Sequence, residues 1–151
     1  MRVDEQLKKM NLNLPDPPKP LAAYVPSVRS GNLLFISGTL PSREGKLIYS
    51  GKLGREVTVE QGIECARLAL LNSLAIVKQE IGDLDQVKRI VRLGGFVASA
   101  EGFIQQPQVL NGASLLLNEL FGDRGKHARA AVGAAELPLN APVEIELVVE
   151  I

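Results

Sequence analysis

One long amphipathic helix between residues 58 and 82 constrains this chain more than any other feature. Thr58-Val59-Glu60-Gln61 has the form of a capping box. In such a box the threonine hydroxyl serves an orphan amide and the glutamine side chain reaches back to the cap. Ile63, Ala66, Leu70, Leu74, Val77 and Ile81 then recur at intervals of three and four, which is one apolar stripe on a helix. Gly82 supplies the stop. A striped helix must bury that stripe against another layer.

The flanking sequence supplies strands for that layer. Tyr24–Arg29 reads as a strand demoted to an edge by Pro26. A turn at Ser30-Gly31-Asn32 joins it to Leu33–Ser37, almost wholly apolar and ending at Gly38, so the pair predicts a hairpin. Residues 39–57 read as a loop with one short strand near Leu47-Ile48-Tyr49. Arg89–Val97 is the next strand, and its Gly94-Gly95 pair implies close backbone approach or a bulge. Pro107 opens a second helix whose core face carries Val109, Leu110, Leu116, Leu117, Leu120 and Phe121, with Gly122 at its end. Ala128–Ala135 is a strand of small residues. The last strand alternates, with Val143, Ile145, Leu147, Val149 and Ile151 on one face and Glu144, Glu146 and Glu150 on the other.

Hairpin, helix, strand, helix and two strands predict a two-layer α+β domain with two helices on one sheet face. Strands 33–37 and 89–97 are apolar on both faces, so the uncovered face needs a partner. A second copy of the chain in a closed cyclic oligomer is the simplest one.

Residues 1–20 precede the domain at 21–151. Val3, Leu7 and Met10 predict a short helix within residues 2–12. Pro15, Pro17, Pro18 and Pro20 then impose an extended arm, either a flexible tail or a strap over a neighbour.

Composition narrows the function. The chain has 151 residues, 17 basic and 17 acidic, and no net charge. Balanced charge and scarce aromatics argue against a dedicated nucleic-acid binder. Apolar runs are too short to span a membrane, and the N-terminus lacks the apolar core of a signal peptide. The single cysteine, Cys65, excludes an intrachain disulfide and fits a reducing, cytoplasmic setting. It sits mid-helix beside the apolar stripe and reads as an inert core thiol. With one histidine, His127, and one cysteine, no C-x-x-C or H-x-x-x-H spacing exists; a carboxylate-only metal site stays open, but Glu144, Glu146 and Glu150 read first as a polar strand face. His127 itself reads as a surface or interface imidazole.

The informative stretch is HARAAVGAAELPLNAPVEIE. Arg129 lies among alanines, valine and glycine, with room beside it for a ligand. Its guanidinium can grip a carboxylate through two parallel hydrogen bonds, or it can pair with a C-terminal glutamate. The residues alone leave both open.

LFISG, the helix opened by TVEQG, the segment QPQVLNGAS and the C-terminal stretch together resemble the RidA/YjgF family, also called the endoribonuclease L-PSP family. The resemblance covers about residues 20–151, and the proline arm, NGAS and HAR resemble one subgroup of it. His127 departs from the proline or alanine usual at that position in the broader family. The resemblance implies a chorismate-mutase-like fold with a mixed sheet, assembled as a homotrimer with pockets between subunits. It also implies hydrolysis of reactive 2-imino acids or enamines to 2-oxo acids and ammonia, without a cofactor. By resemblance Arg129 holds the substrate carboxylate, the backbone carbonyl of Ala131 helps position the imine nitrogen or water, and Glu144 orients the water. Tyr24 matches a pocket-wall tyrosine, Gly38 a pocket glycine, and Asn111 or Ser114 a polar pocket residue. The alternatives are a trimeric binder of carboxylate metabolites without turnover and, least favoured, a ribonuclease.

Overall fold

The computed structural model describes residues 2–20 and 23–151. Five strands form one mixed sheet in the order β1 (Ser27–Ser30), β2 (Leu33–Thr39), β7 (Val143–Glu150), β5 (Arg89–Ala98) and β6 (Ala128–Ala134). Only β5 and β6 run parallel, and the connection between them passes through helix α3 (Gln106–Phe121). Such a crossover needs a dozen or more residues, which a helix supplies. Pairing with β2 on one side and β5 on the other makes β7 the middle strand. Val143, Ile145, Leu147 and Val149 are buried under the helices, while the glutamates between them face the other way. The two-layer α+β expectation therefore holds.

Helix α2 (Val59–Ile81) starts as its sequence predicts. Gln61 N donates to Thr58 Oγ1 at 3.2 Å, and Thr58 N donates to Gln61 Oε1 at 3.0 Å. Replacing the cap hydroxyl removes one amide's partner at a cost of ~1 kcal/mol. Thr58→Ala is accordingly expected to lower the melting temperature by about 2–4 °C in a calorimetric scan.

The single stripe understates how far α2 is buried. Leu68, Leu71 and Ile76 are buried as well. The extra cover comes from two segments remote in sequence. Asn72 Nδ2 donates to the carbonyl oxygens of Leu40 and Ser42, both at 2.9 Å, pinning the loop after β2 against the helix. The extended residues 12–20 border the same flank. This strap is anchored at its start by helix α1 (Val3–Lys9), whose Val3 and Leu7 are buried. Arg2 pairs with Asp83 at 2.6 Å and Asp85 at 3.2 Å, and Lys78 pairs with Asp4 at 2.9 Å.

Two expected strand boundaries move. The first strand begins at Ser27 and not at Tyr24. Pro26 has no N–H to offer a ladder, and only its carbonyl is used, accepting from Ser37 N at 2.9 Å. Within the loop, β3 (Ser42–Arg43) and β4 (Lys46–Leu47) form a minimal hairpin. Glu44 and Gly45 both take positive φ there, the geometry of a tight two-residue turn. The strand expected at residues 47–49 is thus confined to Leu47 and its predecessor.

The sheet face away from the helices is open. The register places Val28, Phe35, Val148, Arg92 and Ala128 in one row across it. Phe35 keeps 45% of its surface exposed, Val132 46% and Val28 55%. No helix among the described residues is long and apolar enough to cross a membrane.

Candidate functional site

Arg129 lies on β6 opposite Leu93, so its side chain leaves the sheet on the helix side. Nη1 donates to Asn111 Oδ1 at 2.8 Å and to Ser114 Oγ at 3.2 Å. Those two residues are three apart on α3 and so share a face. Ser114 Oγ lies 2.9 Å from His127 Nε2, and His127 Nδ1 lies 2.6 Å from the Gly125 carbonyl oxygen. A carbonyl can only accept, so Nδ1 carries the proton. In the neutral ring Nε2 then accepts from the Ser114 hydroxyl. The hydrogen bonds run in one direction, from Arg129 through Ser114 and His127 to Gly125.

Among the described residues Arg129 has no carboxylate partner; of the C-terminal glutamates, Glu146 pairs instead with Arg92 at 3.1 Å. The Arg129 guanidinium borders an open cavity of 320 Å³ lined by Asn111, Ser114, Asn118, Lys126, His127 and Arg129. Of its two cations Lys126 pairs with Asp123 at 2.9 Å, which leaves Arg129 as the lining cation without an acid partner among the described residues. Nη1 is occupied by α3, which leaves Nη2 and Nε to present a fork.

Ala131 stands two residues on, on an edge strand. The Ala134 carbonyl accepts from Ser99 N at the end of β5. Successive carbonyls along a strand point to opposite sides, so that of Ala131 faces the outer, unpaired edge.

Glu144 occupies the opposite face, in a row with Phe96 and Val132. Its carboxyl lies against Gly38, where a side-chain carbon would collide with it. Burial, reinforced by the charge of Glu146, raises the Glu144 carboxyl above the usual carboxylate range. Glu144, Gly38 and Tyr24 border one large cavity of 1030 Å³. An acid whose pKa rises on folding contributes stability below its unfolded pKa and loses it as pH climbs through the folded value. Glu144→Gln is therefore expected to melt higher than the parent at pH 7 and to lose that advantage at pH 3, as differential scanning fluorimetry would show.

Seven residues named from the sequence thus fall into two groups. Arg129, Asn111 and Ser114 form one cluster, with the Ala131 carbonyl on its strand. Tyr24, Gly38 and Glu144 form the other. Within one chain the sheet separates them. His127, expected as a surface or interface imidazole, is partly buried and hydrogen-bonds Ser114 and the Gly125 carbonyl. Its signal is the two-residue spacing from Arg129, just ahead of β6, and both side chains meet Ser114. Asn118 and Lys126 were not anticipated, although Asn118 follows Ser114 by one helical turn. Cys65 is a core thiol as expected, and burial, with a smaller push from Glu64, raises it to about 12.

A mixed five-stranded sheet with two helices covering one face and the other face open defines a chorismate-mutase-like α+β protein. Comparison with known proteins narrows this to one family. Residues 4–151 match the YjgF/chorismate mutase-like family, which is described as candidate endoribonucleases, and the chain belongs to it. Protein TCP17 of Trypanosoma cruzi is 41% identical over 151 residues, covering 99% of this chain and 94% of its own. The crystal structure of Atu1372 from Agrobacterium tumefaciens is 45% identical with a TM-score of 0.91, covering 99% of this chain and 91% of the other. A candidate endoribonuclease from Shewanella oneidensis MR-1 is 37% identical with a TM-score of 0.97, and the two chains cover each other fully.

Proposed function

We propose that the protein hydrolyses reactive 2-imino acids, or their enamine tautomers, to 2-oxo acids and ammonia. The observation that carries this reading is Arg129, braced by Asn111 and Ser114 and unclaimed by any carboxylate among the described residues. A substrate carboxylate accepts from Nη2 and Nε. That grip sets the iminium carbon beside the edge strand, where the Ala131 carbonyl accepts from the iminium N–H. Water adds to the carbon, the proton it sheds passes to nitrogen, and the resulting carbinolamine collapses to the 2-oxo acid and ammonium. A protonated imine is already electrophilic, so orientation and an aligned water suffice and no cofactor or metal is required.

Glu144 is the group suited to align that water, and in one chain it lies across the sheet from Arg129. A homotrimer in which Arg129 of one protomer faces Glu144, Tyr24 and Gly38 of the next brings the two halves together. The exposed apolar side chains of Val28, Phe35 and Val132 on the open sheet face support such packing. We place the work in the cytoplasm, beside the dehydratases that release these imines.

The separation of the two halves favours a second reading, in which the arginine pocket binds small carboxylates without turnover. The experiment that decides is a coupled assay. Purified protein added to a threonine dehydratase should speed the appearance of the 2-oxo acid beyond the spontaneous rate. An unchanged rate, with a 2-oxo acid still bound in calorimetry, establishes the binder instead. Ribonuclease activity is less well supported, because the net charge is zero and the one histidine is committed to Ser114 and Gly125.

A further inference from the structure

The cavity beside Glu144 is far larger than a three- or four-carbon imino acid requires. At 1030 Å³ it reaches the upper end of the ~300–1,000 Å³ range of small-molecule sites. It extends from Tyr24, Gly38 and Glu144 to the flank of α2 beneath the proline arm. Leu12, Leu14 and Pro18 of the arm and Leu68, Leu71 and Ile76 of α2 line that inner part. The polar side chains at the junction are already committed. Asn72 donates to two loop carbonyls, and the Thr39 hydroxyl bonds Ala69 O at 2.8 Å and Ser73 Oγ at 2.7 Å. The charged lining residues Asp16, Lys19, Arg43 and Glu44 are exposed to solvent, so the inner part between the arm and α2 favours an apolar group over a polar one. Its arm wall is preorganised, because prolines restrict the backbone and the anchoring ion pairs at Arg2 and Lys78 hold its start.

We infer that the proline arm builds a specificity pocket for the side chain of the substrate. The preferred substrates are 2-imino acids with a branched aliphatic or aromatic side chain, not the three- and four-carbon compounds. This rests on the deaminase reading above and adds a substrate class to it. The carboxylate sits on Arg129 of one protomer, the iminium carbon lies near Glu144 of the next, and the apolar side chain enters under that second protomer's arm.

The test uses the full chain and imines generated in place by an amino-acid oxidase acting on leucine or alanine. The expected kcat/KM for the leucine-derived imine exceeds that for the alanine-derived imine at least tenfold. Leu14→Trp, which fills the cavity from the half-buried arm, should reduce that ratio at least tenfold and leave the alanine-derived imine within twofold. Leu71→Phe provides a second filling variant from the helix side. A parental preference for the alanine-derived imine, or a ratio unmoved by both folded variants, overturns the inference. Calorimetry with 4-methyl-2-oxopentanoate against pyruvate separates it from the activity itself. If no imine is turned over but the larger oxo acid binds at least tenfold tighter and loses that advantage in Leu14→Trp, the deaminase reading fails and the arm pocket stands. If the two oxo acids bind alike, the pocket fails whatever the activity.

Discussion

Arg129→Ala is expected to lower kcat/KM for imino-acid hydrolysis by about 10²–10⁴-fold. Two hydrogen bonds to a charged group are lost, each ~1.5–3 kcal/mol, and about 1.4 kcal/mol corresponds to one decade of rate. Arg129 is exposed on an edge strand, so its loss should move stability by no more than about 0.5 kcal/mol. Asn111 is exposed and can turn to water when its partner goes, whereas Ser114 keeps His127. Arg129→Lys should recover only part of the activity, because an ammonium keeps the charge and loses the planar fork. Steady-state kinetics on both variants, with melting curves alongside, are the measurement. Full activity in a folded Arg129→Ala protein would remove the basis of the enzymatic reading.

Gly112→Val should destabilise the fold by ~3 kcal/mol, at the upper end of what overpacking costs. For a chain of this size the melting temperature falls by about 6–12 °C. Glycine within a helix is normally a weakness worth ~0.5–1 kcal/mol relative to alanine, so a substitution here would ordinarily help. The sign reverses because α3 crosses α2 at this point. A side-chain carbon on residue 112 would fall on the Ile63 carbonyl, a backbone atom that no rotamer change can move. The helices must separate, and α3 also carries Asn111 and Ser114 on either side of the glycine. Activity should therefore fall in the surviving folded fraction as well. Thermal unfolding and kinetics at a temperature where the variant is folded would read the two effects apart. A variant as stable as the parent would show that the crossing is looser than its geometry implies.

The elements most legible in the sequence are those governed by neighbours along the chain. The capping box at Thr58 and Gln61 names a helix start because its hydrogen bonds span three residues. The alternation from Val143 to Val149 names a strand and its buried face because side chains alternate by geometry alone. The Gly94-Gly95 pair signalled close approach, and Gly95 indeed leaves its space to Leu110 of α3. Less was legible in α2. Its second buried flank is covered by the arm and the loop after β2, and periodicity reports that a residue seeks cover without naming the cover.

The candidate site divides in the same way. The residue types were readable in the C-terminal stretch, where an arginine among small residues must answer to a ligand or an acid. That Arg129 is braced by Asn111, 18 positions earlier, and by a serine tied to His127 follows only from laying α3 across β5 and β6. The same tertiary arrangement puts Glu144 on the far face of the sheet, against a glycine more than 100 positions earlier. Sequence by itself determined the elements, their apolar faces and the presence of an unusual arginine, since these depend on backbone periodicity and local hydrogen bonding. Tertiary structure alone decided which side of the sheet each polar group occupies, what braces the arginine and how the arm closes over α2. Those outcomes depend on contacts between segments whose separation along the chain carries no record of their proximity in space.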